Sequence, residues 1–252
     1  MLILIAGMTF LWLDLAPAGV AGKLHAIGYG VCHQIASHTY IVNGFLLPLC
    51  SRCTGLFLGA LSTIVVLSSQ SKRGGWPKPI FRWILFLLFA AYLVDGINSS
   101  LTFFDGWQGI YPPSNLLRLI TGVGMGIVMG TMIMSIWNQL LWVESDEQPL
   151  MNSFSLLAIC MAAGVFVVLL VVTNLPLTYY PLAIFSAGSV VLLLSMVYTM
   201  LWTLGLKKEN TLVHWQDRIW IFLLGGLTAM VQLGLMDALR FALTQTWSGF
   251  ML

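Results

Sequence analysis

The chain has 252 residues, of which 59% are hydrophobic and 8% are charged, and its mean hydropathy is +0.92. Soluble domains carry about 25% charged residues, so a water-facing surface with this little charge would aggregate. The net charge of +2 is carried mostly by short loops and does not indicate a nucleic-acid partner. The composition therefore predicts an integral membrane protein whose main partner is the lipid bilayer.

Long apolar segments recur along the chain and do not alternate with polar residues. Backbone groups in lipid must satisfy their hydrogen bonds internally, and apolar runs of about 20 residues select helices over a barrel. A first apolar segment, residues 1–21, is interrupted by Asp14 and Pro17, and we interpret it as a kinked span or the remnant of one. Six further spans are predicted at residues 48–69, 80–101, 115–141, 154–173, 180–204 and 219–243. The predicted fold is an all-α polytopic transmembrane bundle of six to seven spans.

Basic residues in the loops predict the orientation of the spans. The loop after residue 69 carries a basic cluster with no acidic residue: Lys72, Arg73, Lys78 and, just inside the next helix, Arg82. The positive-inside rule places this loop in the cytoplasm. Alternation of the spans then brings Lys207, Lys208 and Arg218 to the same side. The segment that precedes residue 48 is therefore predicted to be extracytoplasmic.

That segment carries most of the residues able to bind a metal or exchange disulfides. Three of the four cysteines lie between residues 32 and 53, as Cys32, Cys50 and Cys53. A Cys-x-x-Cys pair at the start of a helix is a common chelating unit, and Cys32 with either His33 or His38 would complete a set suited to zinc or another soft metal ion. Positive charge from Arg52 and from the helix N-terminus would favour thiolates.

Polar residues in later spans are predicted to reach the same level of the membrane. Charged groups at membrane depth are costly unless they are paired or hydrated, which makes them functional candidates. We expect Asp95 to pair with Arg118 or Arg52, and Asp237 to pair with Arg240. The second pair is also compatible with an ordinary ion pair within one helix. Five residues are predicted to contact a cofactor or substrate: Arg52, Asp95, Asn98, Asn115 and Arg118.

More ordinary roles remain open for several of these residues. Asn98 and Asn115 are equally compatible with hydrogen bonding between helices. Gly122, Gly124, Gly126 and Gly130 are predicted to allow close packing of helices, as small residues commonly do in transmembrane segments.

The order of these motifs resembles a known family. It runs Cys32-His33-Gln34, Gly44, Pro48-Leu49-Cys50-Ser51-Arg52-Cys53-Thr54-Gly55 and Gly59, then Asp95-Gly96 and Asn115-x-x-Arg118-x-x-Thr121-Gly122. This pattern resembles the domain of unknown function 2085 family of uncharacterised bacterial and archaeal membrane proteins. The resemblance covers about residues 27–130, with one departure, His38, where the family pattern has an arginine.

The resemblance implies a location and a division of the chain, and no activity. It implies a multi-pass protein of the prokaryotic inner (plasma) membrane. We predict a transmembrane core, residues 1–143, that carries the Cys/His motif, and a three-helix transmembrane extension, residues 144–252.

Four functions remain open from the sequence. The first is a Cys/His metal site, either structural or catalytic. The second is a membrane thiol–disulfide oxidoreductase, since the arrangement is similar to that of membrane disulfide-generating enzymes, although those generally need a second cysteine pair. The third is a structural or assembly subunit bound to other membrane subunits. The fourth is a small transporter or lipid-headgroup binder that uses Arg52, Arg118 and Arg240 as anion contacts.

Overall fold

A computed structural model describes residues 2–70, 72–102, 109–212 and 219–250. Arg218, used above for the orientation, lies outside these ranges. Within them the chain forms eight α-helices: α1 Leu2–Leu15, α2 Gly19–Tyr29, α3 Ser51–Ser68, α4 Pro79–Leu101, α5 Asn115–Leu141, α6 Phe154–Val172, α7 Tyr179–Gly205 and α8 Ile219–Thr244. Single 3-10 turns lie at Ala36–His38 and Pro176–Thr178.

Six of the described helices, α3 to α8, are long and apolar enough to cross a membrane. The predicted all-α polytopic bundle is confirmed, and the predicted span 115–141 coincides with α5. The N-terminal segment divides at Pro17 into α1 and α2. Helix α1 has 14 residues and is about 21 Å long, which is shorter than the hydrocarbon core of about 30 Å. Of the predicted six to seven spans, the described helices therefore provide six of spanning length.

Four short strands lie in the loops of the bundle, two at each end. Strands β1 (Ile41–Val42) and β2 (Phe45–Leu46) form an antiparallel hairpin. Its two turn residues, Asn43 and Gly44, have φ angles of 51° and 80°, the signs that a type I′ turn requires. Strands β3 (Arg73–Gly75) and β4 (Asp146–Pro149) pair in parallel and join the loop after α3 to the loop after α5.

Glycines bring the backbones of α3 and α5 into direct contact. A Cβ atom added to Gly122 would lie 2.3 Å from the carbonyl oxygen of Arg52, and one added to Gly55 would lie 2.3 Å from the carbonyl oxygen of Leu119. Gly126 lies equally close to α3, whereas Gly124 faces the Leu88 side chain of α4. The predicted packing role of these glycines is confirmed, and it fixes how α3 and α5 are aligned along their length.

Side-chain contacts define two ends of the bundle. Arg52 at the start of α3 contacts Asp95 near the end of α4, and Arg240 near the end of α8 contacts the carbonyl of Cys32. We call this the cysteine end. At the opposite end, which we call the β3 end, Asn138 of α5 donates a 2.8 Å hydrogen bond to the carbonyl of Arg73.

The β3 end also holds the loop that follows α7. The backbone N–H of Asn210 donates to the carbonyl of Leu140 at 2.8 Å. The basic residues Lys72, Arg73 and Lys78 of the loop after α3 therefore share one end of the bundle with Lys207 and Lys208 of the loop after α7.

The contact of α3 with α5 predicts an asymmetric response to small substitutions. In Gly126→Ala the new Cβ would lie 2.5 Å from the carbonyl oxygen of Leu56, and we expect a loss of about 1–3 kcal/mol of stability, as for overpacked cores. The matched control is Gly188→Ala in α7, where no atom lies within 4 Å of the new Cβ and alanine favours the helix by about 1 kcal/mol. Thermal unfolding in detergent micelles measures both. Equal midpoints for the two variants would contradict the glycine contact.

Candidate functional site

The side chains of Cys32, Cys50 and Cys53 meet at the cysteine end. Cys50 caps the N-terminus of α3, Cys53 lies in its first turn, and Cys32 lies in the loop after α2. Their three Sγ atoms all lie within 4.8 Å of one another. Tetrahedral zinc with bonds of about 2.3 Å needs sulfur atoms about 3.8 Å apart. The three cysteines are therefore close enough to bind one metal ion after small side-chain adjustments.

A close backbone approach brings the Cys32 loop to the start of α3. A Cβ atom on Gly28 would lie 2.0 Å from the carbonyl oxygen of Pro48, so only glycine fits at this position. The Gln34 side chain extends the contact, because its Nε2 donates to the carbonyls of His25 at 2.9 Å and Pro48 at 2.8 Å. Gln34 itself has a φ of 51°, an uncommon left-handed conformation. These contacts hold the two parts of the cysteine cluster in place.

The sulfur of Cys32 accepts several hydrogen bonds. The backbone N–H groups of Gln34 and Cys50 point at it, with N···S distances of 3.4 and 3.3 Å. Hydrogen bonds from the thiols of Cys50 and Cys53 are the largest cause that lowers the pKa of Cys32 well below its usual value, against the opposing effect of burial. The same hydrogen bond raises the pKa of Cys50. Cys32 is therefore the thiol that ionises most easily outside the spans.

Two histidine rings, those of His33 and His38, follow one another in a line that begins at the Cys32 sulfur. The Nδ1 atom of His33 lies 3.6 Å from the Cys32 sulfur, and its Nε2 atom lies 3.5 Å from Nδ1 of His38. Burial, followed by the positive charge of Arg118, lowers the pKa of His38 to about 4, so this ring is neutral at pH 7. His33 is thus next to the cluster, whereas His38 reaches it only through His33.

A buried ion pair links α3 to α4. Arg52 Nη2 lies 2.5 Å from Oδ2 of Asp95, whose side chain is 1% exposed. Arg52 also donates to the carbonyl of Asp95 at 3.1 Å. Tyr111 and Thr121 donate to the same carboxylate at 3.3 Å each. The structure thus forms one of the two pairings expected for Asp95, the one with Arg52.

Arg118 is buried beside this pair and takes part in a different set of contacts. It is 6% exposed and donates to Asn115 Oδ1 at 2.9 Å and to His38 Nε2 at 3.2 Å. Ser99 accepts from both Arg118 and Arg52, at 3.3 and 3.1 Å. No described carboxylate lies within 4.0 Å of Arg118. Ser99 is not among the residues predicted from the sequence, although its position four residues after Asp95 places it on the same face of α4.

The two asparagines have separate roles in the structure. Asn115 donates through Nδ2 to the carbonyl of Ser37 at 3.0 Å, which connects α5 to the Cys32 loop. Asn98 instead binds the loop before α5, with its Nδ2 donating to the carbonyl of Tyr111 at 2.9 Å and its Oδ1 accepting from the N–H of Ile110 at 2.6 Å. Asn98 therefore contacts a loop rather than the two arginines.

Arg240 and Asp237 do not form the expected ion pair. Arg240 donates to the carbonyls of Cys32 at 2.5 Å and His33 at 3.2 Å, and it stacks 3.9 Å from the ring of Tyr29. Asp237 accepts from Trp12 Nε1 at 2.9 Å. The expected pairing is wrong because the guanidinium is turned toward the carbonyls of the Cys32 loop.

The ion pair of Arg52 with Asp95 predicts a large cost for its disruption. Asp95→Asn leaves the Arg52 charge without its partner, and breaking one side of a buried pair costs about 3–5 kcal/mol. The control is Asp146→Asn at the β3 end, where the pair with Arg73 is longer, at 3.6 Å, and its side chains are 26% and 37% exposed. Pairs of that kind are worth about 0–1 kcal/mol. Unfolding free energies from denaturant titration in micelles compare the two variants, and similar losses would refute a dominant role for the Arg52 pair.

One family model and two archaeal proteins match this chain. A family model described as predicted membrane protein, domain of unknown function 2085, matches residues 32–133. An uncharacterized protein of Methanocaldococcus jannaschii is 24% identical over 119 residues, which are 47% of this chain and 71% of that protein. An uncharacterized protein of Methanothermobacter thermautotrophicus is 31% identical over 100 residues, 38% of this chain and 78% of that protein. No solved structure gives a significant match. Since the family model matches residues 32–133 and the Methanothermobacter relative is 31% identical over 78% of its own length, the chain belongs to the domain of unknown function 2085 family of predicted membrane proteins.

Proposed function

We propose that this protein is a membrane metalloprotein that binds zinc or another soft metal ion through Cys32, Cys50 and Cys53. The observation that carries the proposal is the convergence of three sulfur atoms within 4.8 Å. Thiolates are the preferred ligands of soft ions such as zinc. His33, whose Nδ1 lies 3.6 Å from the Cys32 sulfur, is the imidazole nearest the proposed ion.

The number of thiols favours a metal over a disulfide. A disulfide would use two of the three converging cysteines and leave the third buried without a role, whereas a metal ion uses all three. The two backbone N–H groups directed at the Cys32 sulfur also suit a thiolate, because such hydrogen bonds orient a metal ligand and stabilise its negative charge.

The charges around the cluster support the same proposal. Three arginines, Arg52, Arg118 and Arg240, contact the site or its loop. Two acids accompany them, Asp95 in the ion pair with Arg52 and Asp237, which lies against Gly30. A divalent ion with three thiolates carries one net negative charge, which offsets the one unbalanced arginine. Such compensation matters because unpaired charge is costly at membrane depth.

The cluster joins two segments that are distant in sequence, so a bound ion would have a structural effect on the bundle. It would fasten the loop after α2 to the first turn of α3, and so stabilise the cysteine end of the bundle. A site closed by four protein ligands would be purely structural, whereas an open position would allow catalysis or metal transfer.

A second candidate function is thiol–disulfide exchange. The lowered pKa of Cys32 favours it, because the thiolate is the attacking species in such reactions. Cys32 would attack a disulfide of a partner, and one partner sulfur would leave as a thiolate; Cys50 or Cys53 would then attack the mixed disulfide at Cys32 and release the other. The partner disulfide is thereby reduced to two thiols as an internal disulfide forms. This function requires that the cysteines be reducible and free of metal.

We place the cysteine end on the extracytoplasmic side of a prokaryotic inner membrane. The support is the basic loop after α3, which carries Lys72, Arg73 and Lys78 and lies at the opposite end of the bundle. We propose further that other membrane subunits contact the exposed apolar faces of the helices.

Metal content is the direct test. Protein purified gently from membranes is expected to contain about one equivalent of zinc, iron or copper by elemental analysis, and the Cys50→Ser/Cys53→Ser double variant is expected to contain none. Cys160→Ser is the matched control, because Cys160 is buried in α6 outside the cluster and its loss should leave the metal unchanged. Wild-type protein without metal, in which alkylation of the thiols requires prior reduction, would reject the metal site and favour disulfide exchange.

The orientation is tested by two exposed serines at opposite ends. Ser248 follows α8 at the cysteine end and Ser69 follows α3 at the β3 end, and both are exposed. We expect a membrane-impermeant maleimide to label Ser248→Cys in intact cells, and Ser69→Cys only in inverted vesicles. The reverse pattern would place the cysteine end in the cytoplasm. The unsubstituted protein gives the background labelling of the native cysteines.

A further inference from the structure

A continuous line of hydrogen-bonding groups runs from Arg118 to the Cys32 sulfur. Arg118 Nη2 lies 3.2 Å from His38 Nε2, His38 Nδ1 lies 3.5 Å from His33 Nε2, and His33 Nδ1 lies 3.6 Å from the Cys32 sulfur. In each histidine ring, one nitrogen lies on the side of Arg118 along this line and the other lies on the side of Cys32. The direction of the hydrogen bonds along this line decides what His33 does at the proposed metal site.

The guanidinium sets that direction. Arginine carries only donors, so Nη2 of Arg118 donates and Nε2 of His38 must accept. A neutral imidazole that accepts at one nitrogen carries its proton on the other. Nδ1 of His38 therefore donates to Nε2 of His33, and by the same rule Nδ1 of His33 carries a proton and donates to the Cys32 sulfur.

Neighbouring contacts keep Arg118 in this orientation. Its Nη1 donates to Asn115 at 2.9 Å and its Nε donates to Ser99 at 3.3 Å. The backbone of His38 is held separately, because Ser51 Oγ donates to its carbonyl at 2.8 Å. The arginine cannot turn away from His38 without breaking the contacts with Asn115 and Ser99.

A protonated Nδ1 cannot coordinate a metal ion. The ring of His33 would have to reverse its tautomer to act as a ligand, and Nε2 of His33 would then donate to Nδ1 of His38. His38 Nε2 would in turn carry a proton directed at a guanidinium N–H, which places two donors against each other. The described residues whose ligand atoms converge within 4.8 Å are the three cysteines alone.

We infer that His33 is a hydrogen-bond donor to the Cys32 thiolate, that Arg118 is the positioning residue that fixes this role, and that the metal ion keeps its fourth coordination position for a small lone-pair donor from solution. This inference rests on the proposed metal site and assigns its chemistry. Water occupies such a position by default, and a small thiol is the natural competitor on a site with three sulfur ligands. The protein then supplies three of the ligands and does not itself complete the site.

X-ray absorption at the zinc edge tests the ligand count in the wild-type protein. We expect three sulfur atoms and one oxygen, without the outer-shell scattering of an imidazole, and a rise to four sulfur atoms when 2-mercaptoethanol is added. An imidazole contribution in the wild-type protein, with no response to the thiol, would overturn the inference while leaving the metal site intact. Absence of zinc, iron and copper alike would instead reject the proposed function.

Variants of the hydrogen-bond line give a second readout. His33→Ala is expected to retain one zinc per chain with an affinity lowered about 10–100-fold, the usual effect of losing an outer-shell partner. Arg118→Gln is expected to weaken zinc binding to a similar extent, while Arg118→Lys, which keeps the charge and a donor, recovers most of it. In cobalt-substituted protein, the sulfur-to-cobalt absorption should shift in His33→Ala and Arg118→Gln but not in Arg118→Lys. Complete loss of metal in a folded His33→Ala variant would show that His33 is a ligand.

Discussion

The close approach of α3 and α5 is the constraint on which the rest of the site depends. Because Gly122 leaves room for the carbonyl of Arg52, the first turns of the two helices lie side by side, and each carries an arginine. The two guanidinium groups then share Ser99 of α4, which adds a third helix. A wider separation, as larger residues would impose, would part Arg118 from His38 and remove the polar connection from the bundle to the cysteine loop.

The membrane environment explains why so many polar groups meet at one level. An isolated charge in a bilayer is costly, so each charged side chain needs partners within the protein. Asp95 accepts from Arg52, Tyr111 and Thr121, and Arg118 donates to three neutral groups. The polar network is therefore arranged around charge compensation, and His38 and His33 connect it to the buried Cys32.

Sequence reasoning was strongest where the membrane restricts the choices. Helices α4 to α8 were predicted to within one residue at each end, because an apolar run bounded by polar residues has few alternative boundaries in a bilayer. The convergence of Cys32 with Cys50 and Cys53 followed from motif spacing and topology. The partner of Arg240 was not predictable, because its guanidinium contacts the backbone carbonyls of Cys32 and His33. Every residue has a backbone carbonyl, so residue types do not indicate which one accepts a hydrogen bond. The division at residues 143 and 144 stays a prediction.

Arg240 also shows how a region beyond the family match supports the motif. The match ends at residue 133, and α8 lies far beyond it, yet Arg240 holds the loop that carries Cys32 and His33. Within the loop, this support acts on the main-chain oxygens of Cys32 and His33, which are the same acceptors whatever the side chains of the loop. It therefore places no constraint on the motif residues themselves, so the chemistry of the cysteine cluster and the packing that fixes its position can vary independently. The cysteine cluster and its hydrogen-bond line lie within residues 32–133, and the Arg240 side chain helps to hold the backbone that carries Cys32.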